Sequence, residues 1–171
     1  MHVALPIVSV IPSLDGPVLG ALAGTSAPLN LSSVHRLAAS GSLSGVRLVL
    51  LRLVDTGLVD AVPGGYVLNR DHVAATAIEG LARLWSVVAE RIRDHVQTWQ
   101  PAPLLVGLYG SAARRDGDEQ SDIDVILVSD AGDAADRAAE LALRIERWTG
   151  NPTHITTIST ADLRRMRRAR E

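Results

Sequence analysis

The chain has 171 residues, of which 47 % are hydrophobic, and its 17 basic and 19 acidic residues give a formal net charge of −2. This length predicts one or two small domains with a real core, and the charge excludes a general affinity for polyanions. Cysteine and lysine are both absent, which excludes disulfides, thiolate metal sites and a catalytic lysine. No apolar stretch reaches about 18 residues and the apolar N-terminus lacks a basic region, so we expect a cytoplasmic protein without a signal peptide.

Residues 1–72 predict a small domain of short helices followed by a β-hairpin. The helices are expected at 16–23, 31–39 and 45–55, with Asn30 and Ser44 as N-caps of the second and third. Strands at 58–62 and 66–68 flank Pro63-Gly64-Gly65, which is a hairpin signal.

This order of helices and a two-stranded wing resembles the winged helix-turn-helix domain of many bacterial DNA-binding proteins. The resemblance implies DNA contacts from Ser42, Ser44 and Arg47. Residues 14–73, however, hold four arginines against four aspartates, and the wing turn carries no arginine. Because phosphate neutralisation supplies much of the affinity for a duplex, two interpretations stay open: DNA binding, and packing against a partner protein or a second copy.

Residues 73–100 predict one long helix that links two domains and spans about 40 Å. Apolar residues recur along it at seven-residue and interleaved spacings: Ile78, Leu81, Trp85, Val88, Ile92 and Trp99. Such a stripe predicts a homodimer interface or a brace on which both domains pack. His95 lies on the same stripe, and we expect it and the tryptophans to be structural.

Residues 101–171 predict a small domain in which strands and helices alternate. Strands are expected at 104–109, 123–128 and 155–158, and helices at 111–115, 134–148 and 161–168. The whole chain is therefore of the α/β (α+β) class, and this last domain has a mixed sheet of three or more strands.

The main functional signal is an apolar strand that runs into Gly110-Ser111, followed by an Asp-x-Asp pair at the head of the next apolar strand. A helix N-terminus with a glycine presents free backbone N–H groups to phosphates. Asp122 and Asp124 are two residues apart on a strand, so both carboxylates point to one face and can hold Mg²⁺ or Mn²⁺. At the head of a largely buried strand they would cost free energy without a cation.

A Gly-Ser, a spacer of about ten residues and an Asp-x-Asp resemble the signature of the polymerase-beta-like nucleotidyltransferase superfamily, and most closely its minimal bacterial members. The resemblance implies Mg²⁺-dependent transfer of a nucleoside monophosphate from a nucleoside triphosphate to a hydroxyl of a protein, a tRNA or a small molecule. It makes Asp122 and Asp124 catalytic and metal-binding. It also implies a toxin-type protein as one possible partner. The candidate phosphate-binding residues are Gly110, Ser111, Arg114 and Arg115, and we expect one of these arginines to be only a solvated helix end.

One part of the family pattern is missing, because family members carry a third carboxylate on the next strand. Here Asn151–Ile158 contains no acid, and His154 or Thr156 takes the expected position. A neutral His154 could act as a substitute base. We expect Asp130 to begin a loop and Asp162 to lie in the first turn of the last helix.

Two further hypotheses therefore stay open beside the enzyme. One is a winged-helix transcriptional regulator whose degenerate transferase domain senses a nucleotide without turnover. The other is a structural dimeric module. The basic run Leu163–Arg170 is either a solvated helix end or a contact to RNA, DNA or another anionic partner.

Overall fold

The computed structural model describes residues 1–168 and divides the chain into two compact units. The N-terminal unit is Leu5–Leu84, and the C-terminal unit combines Met1–Ala4 with the chain from Trp85 onwards. Each unit has a hydrophobic core of its own. The last two residues of the basic run, 169–170, lie outside the described residues, as does residue 171.

The N-terminal unit is built from helices and one hairpin, in the order that the sequence predicted. Its elements are a 3₁₀ helix Pro6–Ser9, α1 Asp15–Ala23, α2 Leu31–Ala38, α3 Leu43–Asp55, β1 Val59–Val62, β2 Gly65–Leu68 and α4 Ala75–Ala82. Strands β1 and β2 pair antiparallel, with Val59 opposite Leu68. These elements agree with the predicted helices and hairpin, and the identity of the unit as a winged helix remains a prediction.

The helix caps were predicted correctly in one case and wrongly in the other. Asn30 accepts a hydrogen bond from the Ser33 amide at 2.9 Å, as expected. The N-cap of α3 is Ser42, not Ser44, because the Ser42 hydroxyl accepts from the Gly45 amide at 3.1 Å. A capping oxygen bonds an amide two or three positions ahead, and the earlier serine satisfies that spacing in this helix.

The predicted single helix over residues 73–100 is wrong. The segment forms α4 and a second helix, α5 Leu84–Gln97, and Arg83 between them has φ −99° and ψ 7°. The apolar stripe is divided between two cores: Ile78 belongs to the N-terminal core, whereas Trp85, Ile92 and Trp99 belong to the C-terminal one. The stripe is thus covered within the units, and the homodimer remains a prediction that no longer has this support.

The C-terminal unit has the predicted alternation of strands and helices. After α5 come β3 Leu105–Tyr109, α6 Gly110–Arg114, β4 Ile123–Val128, α7 Ala134–Thr149, β5 Thr153–Ile158 and α8 Thr160–Arg168. The sheet order is β3-β4-β5, in which β4 pairs antiparallel with β3 and parallel with β5. This is the mixed three-stranded sheet that the sequence predicted.

Side chains of strand β4 alternate between the core of this unit and the opposite face of the sheet, which carries Asp124. Ile123, Val125 and Leu127 are fully buried in a core that also contains residues of α5 and α7. Asp124 and Ile126 alternate with them and are only partly buried. The strand is thus largely buried, as expected, while Asp124 lies on the face of the sheet opposite the core.

His95 has the structural role that the sequence predicted for it. Its ring meets the ring of Trp99 edge to face, with centroids 5.8 Å apart. Within residues 1–168 its Nε2 atom is buried without a hydrogen-bond partner. Burial, assisted by the nearby guanidinium of Arg144, lowers the pKa of His95. Trp85 and Trp99 are buried core residues, as expected.

Across the described part of the chain, no single helix has the length and apolar character needed to cross a membrane. Helices α2 and α3 pass that test only as a pair, and the pair is bent by 108°.

Candidate nucleotide and metal site

The turn between β3 and α6 brings the glycine of the motif against its second aspartate. Gly110 has φ +64°, and a Cβ atom at this position would lie 2.6 Å from Oδ2 of Asp124. A residue with a side chain would meet both the strain of a left-handed backbone and a clash with the carboxylate. The glycine therefore allows the Gly-Ser turn to approach the Asp-x-Asp pair, which joins the two halves of the motif in one place.

The three strands align polar side chains in a row across the open face of the sheet. Asp124 is the register partner of Tyr109 on β3 and of His154 on β5. Asp122 precedes β4, and its Oδ2 lies 3.6 Å from Nε2 of His154. The two side chains are 48 % and 70 % exposed, so solvent screens their attraction and the pair contributes little to stability. We therefore consider this pair for its chemistry and not for its contribution to stability.

Strand β5 presents His154, not a carboxylate, beside the second aspartate. Of the two candidates on β5, His154 lies beside Asp124, whereas Thr156 is the register partner of Ile126. The hydroxyl of Thr156 pairs with the hydroxyl of Tyr109 at 3.0 Å. Among the described residues, no group of three histidines or acids is arranged to hold a metal ion.

Asp130 follows β4 in a loop and Asp162 lies in the first turn of α8, as the sequence predicted, and both carboxylates accept hydrogen bonds at the start of that helix. Asp130 accepts from the amide and the hydroxyl of Thr160 at 2.9 and 2.6 Å, and these bonds lower its pKa. Asp162 accepts from the hydroxyl of Ser159 at 2.6 Å and pairs with Arg165, which together lower its pKa to about 2. Neither acid replaces the carboxylate that β5 lacks.

Ser111 lies in the first turn of α6 and faces the following loop. A Cβ atom on Gly117 would lie 2.8 Å from the Ser121 hydroxyl and 3.2 Å from the Ser111 hydroxyl. Helix α6 has only 5 residues, so its dipole adds little to anion binding. A phosphate-binding role for Ser111 and the backbone of Gly110 remains a prediction.

The two arginines after Ser111 have different surroundings. The Nε atom of Arg114 donates to Oδ2 of Asp116 at 2.8 Å, in an exposed local ion pair. Arg115 follows α6 with a left-handed backbone, φ +57°, and is exposed. Within the described residues Arg115 makes no ion pair, so its guanidinium is the more available of the two for a phosphate.

Sequence reasoning missed Asn151, which holds the loop before the aspartates. Asn151 is only 1 % exposed, and its Nδ2 donates to the carbonyls of Glu119 and Ser121 at 3.3 and 3.0 Å. Ser121 directly precedes Asp122, so these bonds fix the chain where the first carboxylate is presented. The only sequence signal was the Gly-Asn-Pro turn, which does not reveal the partners of a buried amide.

The first four residues form a second attachment for the same loop, also missed from the sequence. The amides of Val3 and Ala4 donate to the carbonyls of Asp118 and Gly117 at 3.4 and 2.8 Å. The Val3 side chain is 1 % exposed and belongs to the C-terminal core. Residues 3 and 4 thus hold the loop by hydrogen bonds that are independent of those from Asn151.

The candidate DNA contacts lie together at the start of α3. The Ser42 hydroxyl caps the helix and lies 3.0 Å from the Ser44 hydroxyl, while Arg47 is exposed. The exposed side of the same helix also carries Leu43, Leu48 and Leu51, at 44, 68 and 45 % exposure. A DNA role for the three polar residues remains a prediction.

A separate apolar groove of about 460 Å³ lies in the C-terminal unit between α5 and β3. None of the residues that line it is an acid, and neither Gly110 nor Ser111 belongs to it. It is therefore distinct from the site around the two aspartates.

Comparison with protein families defines the class of the C-terminal unit. Residues 89–169 match the family described as a nucleotidyltransferase domain. The matched segment contains all three strands of the mixed sheet, the Gly-Ser turn and both aspartates. The match supports a nucleotidyltransferase-type domain in this part of the chain. No curated protein and no solved structure matches the chain significantly.

Proposed function

We propose that this protein transfers a nucleoside monophosphate from a nucleoside triphosphate to a hydroxyl of an acceptor, in a reaction that needs Mg²⁺ or Mn²⁺. The observation that carries the proposal is the approach of Gly110 to Asp124, where a Cβ atom would lie 2.6 Å from the carboxylate. A turn that presents phosphate-binding amides beside a carboxylate suits a metal-bound triphosphate. The nucleotidyltransferase domain match over residues 89–169 supports the reaction class.

The donor set fits one Mg²⁺ ion. Asp122 and Asp124 supply carboxylates on one open face, and Mg²⁺ commonly takes one or two carboxylates, with water and substrate phosphates as its other ligands. When bound, the ion would neutralise the charge of the triphosphate and polarise its phosphorus–oxygen bonds. The described residues offer no third acid for a second ion.

The side chains around the aspartates have separate tasks in the proposed reaction. Ser111 and the amides of the turn bind the β- and γ-phosphates, and Arg115 adds a guanidinium to them. The acceptor oxygen attacks the α-phosphorus, its proton passes to Nε2 of His154, and pyrophosphate leaves with the broken bond's electrons. His154 suits this task because its Nε2 lies 3.6 Å from Asp122 on the exposed face.

The test is calorimetric titration of a nucleoside triphosphate with and without Mg²⁺, which needs no knowledge of the acceptor. We expect binding that requires Mg²⁺ and that is lost in the double variant Asp122→Asn/Asp124→Asn. Asp136→Asn, an exposed acid on α7, is the matched control and should bind normally. Equal binding by the double variant would reject the assignment of these carboxylates. In a labelled-nucleotide incorporation assay with candidate acceptors, Asp124→Ala should abolish transfer.

A second candidate function is a regulator that senses a nucleotide without turnover. The absence of an acid on β5 favours it, since the strand presents His154 beside Asp124 and has no carboxylate for a second metal ion. The exposed leucines of α3 favour a protein contact over a DNA contact for the N-terminal unit. If the regulator binds duplex DNA, the complex should weaken steeply with salt and on Arg47→Ala. The absence of a mobility shift at low salt would reject DNA binding as the way in which this regulator acts.

A further inference from the structure

We propose that the ring of Tyr109 is the platform on which the base of the bound nucleotide stacks. The inference rests on the proposed function, because it adds a base subsite to the phosphate and metal site next to it. Tyr109 is the last residue of β3, directly precedes Gly110 and is the register partner of Asp124. A ring at this position lies one residue from the turn and one strand from the carboxylate.

The tyrosine ring is held at both ends. Its backbone belongs to β3, and its hydroxyl pairs at 3.0 Å with the hydroxyl of Thr156 on β5. Strands β3 and β5 flank β4, so the side chain extends across β4 on the same face as Asp124 and His154. A ring fixed in this way loses little further freedom when a ligand stacks on it.

The ring is also open to a ligand. Tyr109 is 40 % exposed, and Gly107, two residues earlier on the same face of β3, has no side chain to cover it. Trp85 and Trp99 are buried, at 5 and 9 % exposure, and Trp148 packs against the core. Among the described residues of the C-terminal unit, Tyr109 is therefore the aromatic side chain left for a ligand at this face.

The chemistry of the platform indicates a class of ligand. An aromatic face binds planar heteroaromatic rings of any base, since each base has a π-face to stack. The tyrosine hydroxyl is occupied by Thr156 and does not read the edge of a base. We therefore expect Tyr109 to add affinity for nucleotides as a class, and to discriminate little among the four bases.

The experiment compares a ligand that has a base with one that lacks it. Mg²⁺-dependent binding of ATP and of inorganic tripolyphosphate is measured by calorimetry for the natural chain, Tyr109→Phe and Tyr109→Leu. We expect Tyr109→Leu to weaken ATP binding by roughly 5- to 100-fold and to leave tripolyphosphate binding unchanged. Tyr109→Phe keeps the ring and should retain most of the ATP affinity. Thr157→Ala, on the opposite face of β5, is the control and should bind both ligands normally.

Each contrary result has a distinct meaning. ATP affinity that is unchanged in Tyr109→Leu, or lost equally in Tyr109→Phe, overturns the platform and leaves the phosphate site intact. A natural chain that binds tripolyphosphate as tightly as ATP also overturns it. If circular dichroism shows that Tyr109→Leu does not fold, the comparison of ATP with tripolyphosphate in the natural chain is the deciding test of the platform. A natural chain that binds neither ligand rejects the proposed function itself.

Discussion

Nε2 of His154 lies 3.6 Å from Oδ2 of Asp122, on a strand that contains no carboxylate of its own. The imidazole stands beside Asp124 in the register of β4 and β5 and is largely exposed. An exposed pair of this kind has little structural value. The position of His154 therefore bears on whether this site catalyses nucleotide transfer or only binds a nucleotide.

The first prediction separates catalysis from binding at His154. We expect His154→Ala to lower the rate of nucleotide transfer by about 10²-fold or more, because a positioned base contributes on that order. Nucleotide affinity should change little, since the two carboxylates and the Gly-Ser turn remain. Transfer rates and calorimetric affinities are to be compared for this variant and Thr157→Ala. A transfer rate equal to that of the natural chain would remove His154 from the reaction.

The second prediction concerns the glycine of the motif. We expect Gly110→Ala to destabilise the C-terminal unit by about 1–3 kcal/mol, because φ is +64° there and Asp124 occupies the space for a Cβ atom. Urea unfolding followed by tryptophan fluorescence is the measurement, since Trp85, Trp99 and Trp148 all belong to that unit. Gly132→Ala is the control, because a Cβ atom at that position would have no neighbouring atom within 4 Å. Similar losses in both variants would contradict the argument.

The third prediction concerns the buried amide of Asn151. We expect Asn151→Ala to destabilise the C-terminal unit by about 1–3 kcal/mol, because the carbonyls of Glu119 and Ser121 would lose their donor. Metal-dependent nucleotide binding should weaken as well, since Asp122 follows directly after Ser121. Fluorescence-detected unfolding and calorimetry check the two effects, with the exposed Gln120→Ala as the control. Binding that survives intact would show that the loop does not need this anchor.

The fourth prediction is a pH dependence at the start of α8. Hydrogen bonds from Ser159, together with the Arg165 guanidinium, lower the pKa of Asp162 from 3.8 to about 2. Because the folded-state pKa is the lower one, the carboxylate stabilises the fold above pH 3.8, and this contribution is lost as the pH falls towards 2.

Unfolding in urea between pH 2 and pH 5 tests this dependence. Asp162→Asn should flatten the loss of stability over that range, and Ser159→Ala should raise the pKa of Asp162 in a carboxyl NMR titration. Curves for Asp162→Asn and the natural chain that run parallel would contradict the assignment.

Local patterns in the sequence predicted most of the helices and strands, because apolar runs, capping residues and turn residues indicate where these elements begin and end. Strand β4 agrees with its prediction at both ends, since it is an apolar run interrupted only by Asp124 and bounded by polar residues. The approach of the Gly-Ser turn to the aspartates also follows from the motif. Gly110, Asp124 and His154 are neighbours in the structure, and Asp122 lies against His154.

The features that the sequence did not predict depend on tertiary packing and on the exact course of the backbone. The apolar stripe from Ile78 to Trp99 is compatible with one helix, and only the two separate cores explain why it is divided at Arg83. The sequence pattern assigned the cap of α3 to Ser44, whereas the helix begins earlier and the Ser42 hydroxyl accepts from the Gly45 amide. The partners of Asn151 lie about 30 residues away, beyond the reach of any local pattern.

Because Val3 is buried in the C-terminal core, the C-terminal unit is discontinuous along the chain. Residues 5–84 form a separate compact unit between its first segment and the remainder. During synthesis residues 1–4 emerge before their partners in the C-terminal unit, which follow only after residues 5–84 have been made. The loop before Asp122 therefore acquires its second attachment late, and a fragment that starts at Trp85 lacks it altogether.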